Sequence, residues 1–303
     1  MATLDATRDA APSFDVFREC PLCGSAEARV LFRRAECGTV VRCAPCGMAY
    51  TRERPLPSFP ELRRKEPVPL PDVILVKEAD QERDFRDVLD GLGRFQQGGR
   101  LLELGSLTGH FLNLARAAGY DVVGIEPDTW AADYARCHFG VEVHDRYLNE
   151  LGLPSGSADA IVMLHVLEHL TAPNETVLEL RRILKDTGVL VIEIPIIETL
   201  LTRLMGRHHR HFVFDHTLFF TQETFARFLD RHGFRVVHQA LTPRTLRLSR
   251  IAANLQRNSR ALGATVDGAL RAIGLADARV TFNTGDILRA YCMKSAIPSP
   301  SRP

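Results

Sequence analysis

A strand, a tight turn and the start of a helix are written into one short run, Leu101-Leu-Glu-Leu-Gly-Ser-Leu-Thr-Gly109. The apolar half reads as a buried strand, and Gly105 and Gly109 supply the backbone freedom for a turn that opens the helix His110–Ala118. The unit then repeats. Asp121–Ile125 reads as a second strand and Thr129–Cys137 as a helix with Asp128 as N-cap and Gly140 beyond its end. Val141–Val143 and Ala158–Leu164 follow as strands, and Val177, Leu178, Leu180, Ile183 and Leu184 fall at helical spacing. Gly188–Ile194 is an apolar strand broken only by Glu193, the mark of a central strand covered on both faces. Thr221 caps a helix to Arg231, and Phe234–Gln239 and Ile287–Lys294 read as the last strands. Such alternation predicts a doubly wound α/β sheet that binds ligands at the C-terminal ends of its strands.

Upstream stand Cys20-Pro-Leu-Cys23 and Cys43-Ala-Pro-Cys46, each followed by a glycine, Gly24 and Gly47, as a knuckle turn. C-x2-C spacing lets two thiolates reach one tetrahedral ion. Two such pairs 19 residues apart favour zinc over a redox role, with Cys20, Cys23, Cys43 and Cys46 as ligands. Four thiolates close the coordination sphere and leave no place for water, so the ion is expected to be structural. Strands over Arg29–Arg33 and Val40–Arg42 complete a small ribbon within 15–54. Residues 1–14 and 296–303 read as disordered tails and 55–78 as a Pro-rich linker. The main domain occupies 79–295, opening with a helical pattern over Ala79–Phe95 and carrying a two-helix insertion at about 243–285. That insertion reads as packing or as a homodimer face ahead of a substrate lid.

Composition narrows the classes. A net charge of +1 over 303 residues argues against a nucleic-acid partner, because phosphate binding asks for a basic surface. No apolar run reaches the length of about 18 residues needed for a membrane span, and the start of the chain has no leader-like apolar stretch. Seven cysteines, four of them at metal spacing, fit a reducing cytoplasm, with Cys37, Cys137 and Cys292 expected as small buried apolar residues.

The glycine turn also carries chemistry. Leu107 stands where G-x-G-x-x-G has its middle glycine, which makes the turn a poor cradle for a dinucleotide pyrophosphate. It suits a nucleoside bearing an amino-acid tail better. Glu103 is placed to accept from the ligand's ammonium group, and Glu126, 21 residues after Gly105, can take both ribose hydroxyls.

With these residues in place, Leu101–Leu112, Gly124–Pro127, Ser157–Leu170 and Leu180–Pro195 resemble successive motifs of class I S-adenosylmethionine-dependent methyltransferases. The resemblance covers residues 80–240 and implies a seven-stranded, Rossmann-like sheet with the methyl donor across its C-terminal edge. It implies Glu103, Gly105, Ser106 and Gly109 on the methionine side, Glu126 and Pro127 at the ribose, Asp145 near the adenine, and Met163 to His165 near the sulfonium. A four-Cys ribbon before such a domain is similar to sugar C-methyltransferases and their shorter small-molecule and glycan relatives. In that family an acidic–His pair follows the fifth strand, and Phe214-Asp215-His216-Thr-Leu-Phe-Phe-Thr221 is similar to its pattern. The resemblance implies methyl transfer to a small molecule or glycan intermediate. His216, polarised by Asp215, would be the base, with His165 as second choice. An RNA methyltransferase docking through the ribbon, and a non-catalytic donor-binding protein, are the alternatives.

Four further expectations concern neighbouring residues. Glu168 and His169 read as orienting the next helix, and Trp130 and Tyr134 as packing. His110 reads as a helix-terminal residue without a catalytic part. Arg207-His-His-Arg-His211 reads equally as a solvated loop or as a site for a substrate phosphate or carboxylate.

Overall fold

The computed structural model describes residues 14–35, 37–55 and 80–297. Of the expected tails 1–14 and 296–303 and linker 55–78, residues 1–13, 298–303 and 56–78 lie outside the described residues. The N-terminal module is an antiparallel sheet of β1 (Phe14–Asp15), β2 (Ala28–Arg34), β3 (Gly38–Cys43) and β4 (Ala49–Arg54), in the order β1-β4-β3-β2. The second cysteine pair sits at its hinge. β3 ends on Cys43, Gly47 turns at φ +77°, and Cys43 N donates to Met48 O at 2.8 Å before β4 begins.

The main sheet has seven strands in the order β11-β14-β9-β8-β5-β6-β7, with β14 antiparallel to both neighbours and the β9-to-β7 half parallel. In chain order its first elements are α1 (Glu82–Leu92), β5 (Gly99–Leu104), α2 (His110–Ala117), β6 (Tyr120–Ile125), α3 (Thr129–Phe139), β7 (Glu142–His144), β8 (Ala158–Leu164), α4 (Pro173–Ile183) and β9 (Leu184–Pro195). Then come α5 (Leu200–Met205), β10 (Leu218–Phe219), α6 (Gln222–Arg231), β11 (Phe234–Leu241), β12 (Arg244–Arg247), α7 (Leu248–Asn258), α8 (Arg260–Ala272), β13 (Arg279–Phe282) and β14 (Ile287–Lys294). The capping chemistry works as the residues dictate. Asp128 accepts from Ala131 N, Gly140 closes α3 in the left-handed region, and Thr221 accepts from Thr224 N.

Strand periodicity divides the core. Leu101, Ala160, Val162, Val189 and Val191 face α1, α2 and α3, whereas Leu102, Ile161, Met163, Leu190 and Ile192 face α4 and α6. The second cluster continues into the cysteine module through Phe17, Leu22, Met48 and Tyr50, so module and sheet share one apolar core. The insertion holds the two expected helices, α7 and α8. It also holds an antiparallel pair, β12 with β13, that the periodicity did not announce.

Two features position the site. The chain runs from β5 outward to β7 and then returns to lay β8 on the other side of β5, so the ends of β5 and β8 flank a topological switch point. And β10 leaves the main sheet to pair with β4 of the module, Leu218 opposite Tyr50 and Phe219 opposite Ala49.

Candidate active site

The donor side is built by consecutive β–turn–α units. Gly105 and Gly109 adopt φ of +74° and +78°, and a Cβ at Gly105 would come within 2.4 Å of Val166 Cγ2. Leu107 takes the left-handed conformation too, at φ +44°. Among the described residues only Leu107 and His165 do so without being glycine, and they stand just past the ends of β5 and β8. Glu126 fixes the turn: one carboxylate oxygen accepts from Leu107 N at 2.9 Å and the other from Asp128 N at 2.9 Å. Glu103 and Ser106 are buried close by, and Gly124, lacking a Cβ, leaves room for the Ser106 hydroxyl. Pro127 follows Glu126 half-buried. Past the ends of β6 and β7 an open cleft of about 520 Å³ is lined by Thr129, Asp145, Arg146 and Glu150. Met163 departs from that reading. Its side chain is wholly buried in the core that faces α4 and α6, because the alternation of β8 turns it away from the crevice.

Across the crevice lies a cluster of histidines and carboxylates. His165 stands between two acids, Nδ1 at 3.3 Å from Glu168 and Nε2 at 3.0 Å from Glu193, with Arg244 of β12 against the same Nε2. Glu193, the one charge in the apolar run Gly188–Ile194 of β9, is held in turn by Arg289 at 2.7 Å. Burial raises both carboxyls. Against it, the His165 bond outweighs that rise, taking Glu168 down to about 2, and with the Arg289 charge it holds Glu193 well below the usual range.

The expected pairing of Asp215 with His216 is not what the fold makes. Asp215 Oδ2 lies 2.9 Å from Nδ1 of His169, and its backbone oxygen lies 3.0 Å from the same nitrogen. Asp215 lies in a turn ahead of β10, and its carboxylate is turned to His169 in the loop after β8. His169 therefore takes a part that helix orientation alone did not suggest. Burial disfavours its charge, but Asp215 and Glu168 raise its pKa on balance. Its ring meets that of His216 edge-on at 4.7 Å. Burial, and then the neighbouring His169, push His216 down to about 3, and its Nδ1 is buried without a hydrogen bond.

The basic run beside it is only partly a solvated loop, with Arg207 and His208 exposed. His209 and His211 are buried, Arg210 donates from Nε and Nη2 to Asp286, and His211 Nε2 lies 3.0 Å from the same carboxylate. Arg210 and His211 are thus already committed to a buried acid. Glu193, Arg244 and Asp286 are the residues that sequence reasoning missed. Of the three, only Glu193 left a signal, as a charge inside an apolar strand.

The four cysteines do converge. Their sulfurs lie within 4.8 Å of one another, Cys20 at 3.5 Å from Cys46 and Cys23 at 3.4 Å from Cys43. Burial pushes the Cys20 thiol up and that of Cys46 to about 11, while Cys23 is brought below its ordinary value by the Ser25 backbone and the neighbouring thiols despite burial. Four sulfurs at such spacing fit a tetrahedral soft-ligand site. α6 braces both knuckles, Arg231 donating to Leu22 O at 2.8 Å and Arg227 to Cys46 O at 3.4 Å. Of the other cysteines Cys37 and Cys292 are buried as expected, whereas Cys137 is exposed. Trp130 stacks on Tyr134 at 5.4 Å and Tyr134 on His138 at 4.9 Å, as packing residues do.

Residues 78–239 match the family described as methyltransferase domain. The chain belongs to that methyltransferase family. Over 96 residues, 31% of this chain and 35% of theirs, it is 32% identical to Mycobacterium tuberculosis proteins named probable S-adenosylmethionine-dependent methyltransferases. The chain thus spans about a third of the length of those relatives. Among solved structures it is similar to a SAM-dependent methyltransferase of Thermotoga maritima, with TM-score 0.51 and 19% identity over 78% of this chain and 99% of that one. It is also similar to a Haemonchus contortus phosphoethanolamine N-methyltransferase in complex with S-adenosylmethionine, with TM-score 0.51 and 14% identity over 81% and 63%. At such identities the likeness establishes the methyltransferase fold. Among the described residues no helix is long and apolar enough to cross a membrane.

Proposed function

We propose that the chain transfers a methyl group from S-adenosylmethionine to a small-molecule or glycan-intermediate acceptor. One observation supports the reading: the turn that Glu126 locks at the end of β5 lies at Gly105 against Val166, the residue next to His165 of the histidine–carboxylate cluster. Donor residues and proton-handling residues thus border one crevice. The donor, when bound, supplies an electrophilic methyl on a positively charged sulfur. The chain's part is to hold and align. On this reading Glu126 would meet the ribose hydroxyls, Glu103 and the Gly105–Gly109 turn would border the amino-acid end, and Asp145 the adenine end. As the acceptor atom bonds to the methyl carbon, the carbon–sulfur bond breaks with its electron pair on sulfur, and the acceptor's proton passes to a histidine. His169 is the supported base, because Asp215 orients its ring and stabilises the charge it gains. His216 borders it, and His165 is tied on both nitrogens. Cys20, Cys23, Cys43 and Cys46 would hold a structural zinc ion.

Calorimetric titration of the zinc-loaded chain with S-adenosylmethionine and S-adenosylhomocysteine, with NADH as control, tests the reading. Micromolar binding of both sulfur ligands and none of NADH is expected. No binding of either sulfur ligand would overturn it.

A further inference from the structure

The cysteine module does more than stand beside the main sheet: it grips the backbone of the segment that carries His216. Thr51 of β4 makes two bonds to consecutive residues, its Oγ1 donating to His216 O at 3.0 Å and its N–H to Thr217 O at 2.8 Å. The opposite edge of that segment is tied to the loop after β8. Thr217 N donates to Glu168 O at 2.6 Å, and Thr217 Oγ1 to Leu170 O at 2.7 Å. Residues 216 and 217 are thus clamped between the module and the loop bearing Glu168 and His169, which sets the edge-on contact of the His216 and His169 rings. Thr51 itself is fully buried, five residues after Cys46. The Cys43–Cys46 knuckle decides where β4 starts relative to β3, and therefore where Thr51 lies. Packing seals the joint, with Val40 and Ala49 of the module against Ile197, Phe212 and Phe219 and with the Phe32 and Phe212 rings 4.8 Å apart.

We propose that Thr51 is a positioning residue, through which the metal-bound state of the four-cysteine site sets His216 and with it the acceptor side of the crevice. The claim deepens the methyltransferase reading and rests on it for the meaning of "acceptor side". The geometry it asserts can be tested without turnover.

The test uses the full zinc-loaded chain and two substitutions. Thr51→Val keeps the shape and the N–H bond and removes only the hydroxyl; Thr51→Ser keeps the hydroxyl. Histidine ring signals would be followed by NMR, with His216→Gln identifying the His216 signal, and amide exchange would be followed over Thr217–Phe220. Thr51→Val is expected to shift the His216 signal and to speed exchange at those amides about tenfold, the loss of one hydrogen bond. Thr51→Ser should match the parent. Removal of zinc by a chelator should move the same signals further, with donor affinity changed less than about threefold. Parent-like signals in Thr51→Val, or equal disturbance in Thr51→Val and Thr51→Ser, would overturn the proposal. Absence of donor binding in the parent would sink the methyltransferase reading alone, since the NMR and exchange results would still decide the role of Thr51.

Discussion

In the proposed reading the two walls of the crevice, one for the donor and one for the acceptor, are made in opposite ways. The donor wall comes from one continuous stretch, Glu103 to Asp145, in which each strand hands its end residue to the next turn. The acceptor wall is assembled from the loop after β8, Glu193 in β9, the 209–217 segment, Arg244 in the insertion, Asp286 before β14 and Thr51 in the cysteine module. A wall built locally can survive damage elsewhere. One built from six segments depends on every joint between them.

The strongest way to break the comparison is to disable the thiolate site. Cys43→Ser should cost the module its metal, release β10 and remove turnover to about a thousandth or less, while donor affinity stays within about threefold. A parallel loss of donor binding would show that the two walls are not separable. Asp215→Asn tests the acceptor wall from within. It leaves the shape of the dyad but removes the charge that stabilises protonated His169, so kcat should fall about a hundredfold at unchanged donor affinity. An unchanged kcat would remove His169 as base.

Legibility in the sequence follows the same division. The strands Ala158–Leu164 and Ile287–Lys294, the caps Asp128, Gly140 and Thr221 and the two C-x2-C pairs were readable because each depends on residues within a few positions. Asp215 stood out in the sequence, but its partner did not: the choice between His216 next to it and His169 in another loop is made by tertiary packing. Arg244 and Asp286 carried no local pattern at all. Their roles exist only once β12 and the start of β14 are brought to the end of β8.

Acid should reveal the acceptor wall as the weaker one. His209 is fully buried beside Asp286 at 3.8 Å, and burial followed by the charge of His211 push it down to about 4, against 6.5 for a free histidine. Between pH 6.5 and 4 the unfolded chain binds a proton at this residue that the native chain does not, so stability falls as the pH drops through that window. Below it His209 adds no further loss. His209→Leu should lessen that fall by on the order of 2 kcal/mol in denaturant titrations at pH 7 and pH 4.5. The difference between variant and parent isolates the residue, since thiolate protonation releases metal from both. Parallel curves would show that His209 is not held neutral.

The smallest effect belongs to the donor wall, at the one place where its sequence departs from the glycine pattern. Leu107 does not alter the turn; it adopts the left-handed backbone that a glycine would take, and its N–H still reaches Glu126 at 2.9 Å. A side chain in that region costs about 1 to 2 kcal/mol in strain, and a glycine there gives back part of the gain through greater freedom in the unfolded chain. Leu107→Gly should therefore raise stability by at most about 1 kcal/mol and leave donor affinity the same or slightly tighter. A loss of stability would mean that the leucine side chain contributes more in packing than its backbone loses in strain. A loss of donor affinity would mean that the side chain itself borders the ligand, and the donor wall would then have a specificity of its own at Leu107.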